Sequence, residues 1–174
     1  MVGFLRRHCS DSEEQRKAED CGGQHDTTTV PTREITLALV HVLIATDAQY
    51  VLDDVIAALG TPDTSFSVCR DGRDVTDAVK KRTPDIAVLD LQVGSMGAMA
   101  TTMNLRLDES GGRLPRVPVV MLLDRVADVH LARRSGADGW LVKPIDSLRL
   151  RRAVSEVRAG RTWHESASPV VQHR

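Results

Sequence analysis

Two carboxylates and one lysine stand where a sheet of parallel strands would present them for chemistry. The stretch 83–92 reads TPDIAVLDLQ, in which an apolar run ends in Asp90. Asp47 follows an earlier apolar run, and Lys143 follows a later one. A carboxylate can accept a phosphoryl group, a divalent cation can neutralise the charge on that group, and a lysine can hold one of its oxygens. The three residues therefore predict a site for a hard cation and a phosphoryl group, provided that the fold brings them together.

Apolar runs alternate with amphipathic segments between residues 35 and 160, and this alternation predicts the fold. Five times, a short apolar run typical of a buried strand precedes a segment whose apolar residues recur at helical spacing. Strand–helix repeats with short loops predict a parallel sheet covered by helices on both faces, with its reactive groups at the carboxyl ends of the strands. We predict an α/β chain, a flavodoxin-like (βα)5 doubly wound parallel sheet with strand order 2-1-3-4-5. The five runs are ITLALVHVLIA, SFSVC, IAVLD, VPVVMLL and GWLV.

The third predicted helix carries an apolar stripe at helical spacing, formed by Met96, Met99, Met103 and Leu107. Methionine is flexible and polarizable, so it fills irregular gaps in cores and also serves adaptable binding surfaces. We interpret the stripe as core or as a soft interaction face, and not as a cofactor site.

Composition and charge exclude several classes of function. The chain has 174 residues, of which 41% are hydrophobic, and a net charge of −1, so it suits one domain with no global attraction to nucleic acid or anionic membranes. No apolar run approaches the ~20 residues of a membrane span, and the spacing of the three cysteines suggests no metal site or disulfide framework. We expect a cytoplasmic protein with no nucleic-acid partner and no direct membrane insertion. Its domain would span residues 35–160, between an N-terminal tail (1–34) that is disordered or ordered by a partner and a C-terminal tail (161–174).

The segment from about residue 40 to about residue 158 resembles the receiver domain of two-component response regulators. The resemblance rests on VLIAT followed by Asp47, on PDIAVLD with Asp90, and on GADGWLVKP with Lys143. It implies that Asp90 is the phosphoacceptor, that Asp47 is a magnesium ligand, and that Lys143 contacts the phosphoryl group. It also implies that the backbone carbonyl of Gln92 is a further ligand of the metal.

Four positions depart from the pattern of that family, and one of them is Gly94, which stands where receivers usually carry a proline after the acceptor. Receivers carry two consecutive acids after the first strand, whereas this chain has Thr46 before Asp47. Because Mg²⁺ prefers several anionic oxygens, we expect it to bind weakly or to leave the site unoccupied, and we expect that no cofactor is required. Leu123 stands where receivers have the Ser or Thr that contacts the phosphoryl group, and its side chain can neither donate nor accept a hydrogen bond. Trp140 stands at the position of the aromatic residue that moves with that hydroxyl, so the switch is expected to be altered.

Each of these residues also has a purely structural interpretation. Asp90 and Lys143 could form an ion pair at the rim of the sheet without any chemistry. Asp47 could cap the first helix at its N-terminus. Trp140 could be a partly exposed packing residue and not a moving switch.

Basic side chains concentrate towards the end of the predicted domain. Residues 143–161 contain six lysines and arginines against two acids. A solvated helical face is one explanation, but in receivers the last two helices and the last strand form the usual docking face. We therefore predict a basic docking face for an acidic protein surface, formed by Arg125, Arg133, Arg134, Arg149, Arg151 and Arg152.

We predict an atypical, stand-alone receiver that is not an enzyme and acts as a protein-docking and regulatory module, because no recognised DNA-binding module follows residue 160. The chain is similar to actinobacterial orphan receivers associated with the proton-pumping NADH:quinone oxidoreductase. That similarity implies an accessory role in respiratory complex I, at the inner membrane through this partner. The alternative is a phosphorylation-dependent two-component response regulator, in which a histidine kinase is the partner and Asp90 the acceptor. A flavin-binding protein of the same fold would need a phosphate loop rich in hydroxyls and glycine after the first strand, and ATDAQY is not such a loop.

Overall fold

The computed structural model describes residues 39–164, which alternate between strands and helices as predicted. The predicted N-terminal tail and residues 165–174 of the predicted C-terminal tail lie outside these described residues. Across 39–164, no helix has the length and hydropathy needed to cross a membrane. The elements in chain order are β1 (Val40–Ala45), α1 (Gln49–Leu59), β2 (Thr64–Cys69), α2 (Asp74–Lys81), β3 (Ile86–Asp90), α3 (Ala98–Ser110), β4 (Val119–Leu123), a short 3₁₀ turn (Val126–Asp128), α4 (Val129–Ser135), β5 (Gly139–Val142), α5 (Ser147–Arg158) and β6 (Trp163–His164).

The described strands form one parallel sheet with the order β2-β1-β3-β4-β5-β6. β1 lies between β2 and β3, with Val42 opposite Ile86 and Ala45 opposite Leu89. The flavodoxin-like fold and the predicted order of the first five strands are confirmed. Because the strands are parallel, the carboxyl ends of β1, β3, β4 and β5 meet at one rim of the sheet. The residues predicted to do chemistry all follow these ends.

The sheet continues past the predicted domain boundary at residue 160. Trp163 and His164 form β6, which pairs with β5 at Gly139 and Trp140. The glycine permits this close approach, since a Cβ at that position would lie 3.1 Å from the carbonyl oxygen of Trp163. A strand of two residues is too short to produce a periodic signal. The segment that begins at residue 161 is therefore part of the sheet at 163–164 and not a loose tail there.

The sheet is buried on both faces, which explains why its strands are continuous apolar runs. Successive residues of a strand point to opposite faces. In β3, Leu89 joins the apolar cluster that holds α2, α3 and α4, whereas Val88 joins the cluster that holds α1 and α5. The central strands thus pass through the middle of the core, and only their ends approach solvent.

The helix α3 packs on the sheet through small residues and not through its methionine stripe. Its buried positions are Ala98, Thr101, Thr102 and Leu105. The hydroxyl of Thr102 donates to the carbonyl oxygen of Ala98 at 2.7 Å, so burial leaves it satisfied. Met103 and Leu107 of the stripe are exposed, which agrees with an interaction face, whereas Met96 and Met99 are half-buried.

Asp138, the acid of the GAD sequence before β5, has a structural role. Its Oδ2 accepts hydrogen bonds from Arg106 Nη2 at 2.7 Å and from the backbone N–H of Val119 at 2.8 Å. Its Oδ1 accepts from Arg116 Nη2 at 2.6 Å. Both arginines also pair with Glu109, at 3.1 and 2.9 Å. One mostly buried carboxylate thereby ties the end of α3 to the starts of β4 and β5.

Replacing Asp138 with asparagine is expected to destabilise the protein by about 2–3 kcal/mol. An amide offers one acceptor oxygen where the carboxylate offers two, so at least one donor would face an NH₂ group. The measurement is the free energy of unfolding from urea titrations. The matched control is Asp77→Asn, which breaks an exposed pair with Lys80 and should cost no more than about 0.5 kcal/mol. Equal losses in the two variants would contradict a central role for Asp138.

Candidate functional site

Four elements deliver polar side chains to the rim at the carboxyl end of the sheet. Thr46 and Asp47 follow β1, Asp90 ends β3, Asp124 follows β4, and Lys143 follows β5. The structure brings Thr46, Asp90 and Lys143 into direct contact, as the fold prediction required. Asp47 lies at the solvent side of the same rim.

Asp90 is the buried centre of this site, with 2% of its surface exposed. Lys143 Nζ donates to its Oδ1 at 2.7 Å. The hydroxyl of Thr46 donates to Oδ2 at 2.9 Å, and the backbone N–H of Gln92 approaches Oδ1 at 3.4 Å. Both carboxylate oxygens are therefore satisfied by donors, one of which carries a full positive charge. Hydrogen-bond donors thus surround a carboxylate that has almost no access to water.

Asp124 is a member of the site that sequence reasoning missed. Its Oδ1 accepts a second hydrogen bond from Lys143 Nζ at 2.9 Å. The sequence argument examined Leu123, the last residue of β4, whose side chain lies wholly in the core. Because side chains alternate along a strand, the next residue points to the rim. Applying to β4 the rule that selected Asp47 after β1 would have found Asp124.

The lysine at the centre of the site stays charged over the whole neutral range. Burial by itself lowers the pKa of Lys143, but its hydrogen bonds to Asp90 and Asp124 and the attraction of these two carboxylates outweigh that effect. The net result is a pKa above the ordinary lysine value of 10.5. The site therefore holds a permanent cation beside the candidate acceptor.

Thr46 fills the place of the missing acid and also helps to begin α1. It is fully buried, donates to Asp90, and accepts the backbone N–H of Ala48 at 3.2 Å. The predicted capping role of Asp47 is wrong, because α1 begins at Gln49 and Ala48 occupies the N-cap position without a side-chain bond. Asp47 is exposed, on the side of the rim that faces Gly94.

The residues of the rim do not fit a tight magnesium site. Of the predicted ligands, Asp90 has both oxygens engaged by donors, and Asp47 is an exposed carboxylate. The Thr46 hydroxyl points its proton at Asp90, so it is not turned towards a cation as an acceptor. Residues 39–164 contain no group of three or more His, Cys, Asp or Glu side chains that could hold a metal ion. Since Mg²⁺ favours several anionic oxygens in octahedral geometry, Asp47, Asp90 and the carbonyl of Gln92 make at most a weak site.

The altered switch positions are packed tightly. Leu123 is wholly buried, and Trp140 is buried as well, with 2% of its surface exposed. This burial agrees with the prediction that Trp140 is a packing residue. The prediction that its side chain is partly exposed is wrong. Its ring stacks on His164 of β6 with centroids 4.2 Å apart, and the guanidinium of Arg133 lies 5.8 Å from its centroid. Contacts from β6 and α4 therefore hold the indole in place.

The six arginines of the predicted docking face do not form one free surface. Arg125 pairs with Asp128 at 3.2 Å, and Arg151 donates to the carbonyl oxygen of Ala58 on α1. Two others lie over tryptophan rings, Arg133 over Trp140 and Arg152 over Trp163. Arg149 donates to the backbone carbonyls of Val142 and Pro144 at 3.4 and 3.5 Å. No carboxylate in residues 39–164 pairs with Arg133 or Arg134, so these neighbouring side chains of α4 present two uncompensated charges.

Comparison with known proteins agrees with this geometry. Residues 42–155 match the family described as the response regulator receiver domain. The chain is similar to the transcriptional regulatory protein CseB of Streptomyces avermitilis, with 32% identity over 121 residues that cover 68% of this chain and 48% of the relative. It is also similar to the DNA-binding response regulator MtrA of Mycobacterium tuberculosis, with 30% identity over 120 residues that cover 68% and 49%.

Among solved structures, the chemotaxis response regulator CheY4 of Vibrio cholerae has a TM-score of 0.60 and 21% identity, covering 68% of this chain and 98% of that chain. This likeness concerns the fold. The chain spans about half the length of the sequence relatives named above.

Replacing Lys143 with methionine is expected to destabilise the fold by about 3 kcal/mol at neutral pH, because Asp90 would become a buried charge without its cation. Adding Asp90→Asn to that variant should recover a large part of the loss, since the amide carries no charge. The measurement is a double-mutant cycle of unfolding free energies. Strictly additive effects of the two substitutions would show that the ion pair does not stabilise the site.

Proposed function

The chain belongs to the response regulator receiver domain family, and on this basis we propose that Asp90 accepts a phosphoryl group in two-component signalling, with a histidine kinase as the partner. The observation that carries the proposal is the contact between Lys143 Nζ and Asp90 Oδ1 at 2.7 Å. A nucleophilic carboxylate and a fixed cation are the two groups that such a transfer needs from the protein.

The proposed transfer uses groups that the rim already holds. An Asp90 oxygen bonds to phosphorus while the phosphorus–nitrogen bond of a kinase phosphohistidine breaks. The imidazole leaves with the bonding electron pair and takes up a proton, and an acyl phosphate remains on Asp90. Lys143 can turn from the carboxylate to a phosphoryl oxygen while Asp124 retains its other hydrogen bond. The ammonium then balances the charge that arrives with the phosphoryl group.

In this proposal the domain is an acceptor and not an enzyme, and it works in the cytoplasm. It requires no resident cofactor, in keeping with the poor fit of the rim to Mg²⁺. The name of CseB describes a transcriptional regulatory protein, and the name of MtrA describes a DNA-binding response regulator. For residues 39–164 we propose protein partners, because most of the arginines of the predicted docking face are engaged within the domain.

A second candidate is a docking module that works without phosphorylation. The observation that favours it is the packing of Leu123 and Trp140. Leu123 has no hydroxyl that could bind a phosphoryl group. The ring of Trp140 is held by contacts with His164 and Arg133. A ligand shifts a conformational equilibrium only when it binds the two states differently, and these residues remove much of that difference. An acidic surface of the NADH:quinone oxidoreductase remains the proposed partner of this module, on the sequence resemblance alone.

Incubation of the full chain with acetyl phosphate and MgCl₂ is expected to add one phosphoryl group, seen by intact-protein mass spectrometry, and Asp90→Asn should abolish it. Thr46→Asp restores an acid next to Asp47, so this variant should be phosphorylated at lower Mg²⁺ concentration. An adduct that survives in Asp90→Asn would place the acceptor elsewhere. Absence of any adduct, even in Thr46→Asp, would reject the phosphoacceptor proposal and leave the docking module.

The docking module makes a separate prediction. The wild-type chain and Asp90→Asn should capture the same stoichiometric partner from membranes and cytosol in mild detergent, because the contact would not depend on the acceptor. The measurement is quantitative mass spectrometry of the captured proteins, in which subunits of the NADH:quinone oxidoreductase are sought. A partner recovered only with phosphorylated wild-type protein would contradict this second candidate.

A further inference from the structure

An open groove of about 740 Å³ lies between α3 and α4, and its lining includes none of Thr46, Gln92 and Lys143, which bond to Asp90. Its α3 wall begins at Met96, just before the helix, and continues along residues of α3 at helical spacing. Its other wall is the end of α4. The residues that form the α3 wall are Met96, Ala100, Met103, Asn104, Arg106, Leu107 and Ser110, of which Arg106 is paired with Glu109 and Asp138.

The α3 wall exposes apolar side chains that a soluble domain would normally cover. Met103 is 49% exposed and Leu107 is 61% exposed. They lie one turn apart on the same face of the helix. α3 reaches the sheet through Ala98, Thr101 and Leu105 on its opposite side. Contiguous exposed apolar surface with adaptable methionine is typical of binding sites.

The α4 wall adds positive charge that the domain does not neutralise. Arg133 and Arg134 line the groove and are exposed, and within the described residues neither pairs with a carboxylate. The acids at the end of α3 cannot serve them, because Asp108 pairs with Arg113 at 2.6 Å and Glu109 pairs with Arg106 at 3.1 Å. The groove is therefore apolar along α3 and basic along α4.

We propose that this groove binds an amphipathic helix of a partner protein, whose apolar stripe is flanked by acidic residues. The 13 residues of α3 span about 20 Å, a length that matches three turns of a docked helix. Apolar anchors of the partner at helical spacing would pack between Met103 and Leu107. Its acidic side chains would face Arg133 and Arg134, which sets the orientation of the helix.

A second copy of the chain fits this groove less well than an acidic helix does. A two-fold contact through the same face would bring Arg133 and Arg134 of both copies together. Like charges in an interface are unfavourable. The groove contains none of the side chains that bond to Asp90, although Arg133 also contacts Trp140.

The test uses the full chain and a fluorescein-labelled synthetic peptide of about 15 residues, long enough to form a helix when bound, with leucines at i, i+4, i+7 and i+11 and glutamates beside them. Two control peptides carry lysine in place of glutamate, or the same residues in scrambled order. By fluorescence anisotropy, the glutamate peptide should bind at least about tenfold more tightly than either control.

The variants separate the two walls of the groove. The double variant Met103→Glu with Leu107→Glu should abolish binding of the glutamate peptide. The control is Leu148→Glu, which changes an apolar side chain of α5 that is 72% exposed and lies outside the groove. It should leave binding unchanged. Arg133→Glu with Arg134→Glu should transfer the preference to the lysine peptide. Arg134→Glu alone should weaken binding of the glutamate peptide without disturbing the contact of Arg133 with Trp140. Thermal unfolding checks that each variant folds.

Three outcomes would overturn the proposal. The first is that the wild-type chain binds no peptide, or binds the scrambled one equally well. The second is that charge reversal on α4 leaves the preference among peptides unchanged. The third is a dimer in sedimentation equilibrium that Met103→Glu with Leu107→Glu dissociates, since a second copy would then be the occupant.

Discussion

The buried charge of Asp90 is the constraint on which the rest of the site depends. β3 runs through the middle of a sheet covered on both faces, so the carboxylate at its end has almost no contact with water. An isolated charge in such a place would cost several kcal/mol or would be neutralised by a proton. Lys143 supplies the balancing charge from the end of β5, and it also holds Asp124 after β4. One ammonium thus links the carboxyl ends of three strands, and the candidate chemistry rests on the same contact as the local stability.

The rim holds the candidate acceptor Asp90 beside the cation of Lys143, and the positions at which the sequence departs from the receiver pattern hold Thr46, Leu123 and Trp140. Thr46 satisfies Asp90 with a hydrogen bond but brings no negative charge for a metal. Leu123 belongs to the core, and Trp140 is fixed by His164 on one side and Arg133 on the other. β6 also affects the packing of Trp140, because its residue His164 supplies the imidazole that stacks on the indole ring.

The two sides of α3 have different roles: one packs on the sheet, and the other lines the α3–α4 groove and is available to a partner. α3 approaches the sheet through alanine, threonine and one leucine, and the threonine hydroxyls are satisfied by backbone carbonyls. The larger apolar residues are left on the outside, next to arginines that have no acid partner in the described part of the chain. Arg133 belongs to both the groove and the packing of Trp140, so the two regions share one side chain.

The sequence by itself determined the parallel α/β sheet, because this follows from the alternation of apolar runs and amphipathic segments, and it placed Asp90 and Lys143 at or just after the ends of two of those runs. The order of the first five strands, and with it the meeting of these two residues, was predicted from the flavodoxin-like fold that the chain resembles. Only the tertiary structure decided which way individual side chains face. Asp124 is a hydrogen-bond partner of Lys143, α1 begins two residues after Asp47 and is not capped by it, and Met103 and Leu107 of the methionine stripe are exposed. The two-residue strand at Trp163 and the dispersal of the arginines also required coordinates. The physical reason is that spacing along the chain defines a face of a helix or strand, but the competition among all faces for the same core decides which of them is buried.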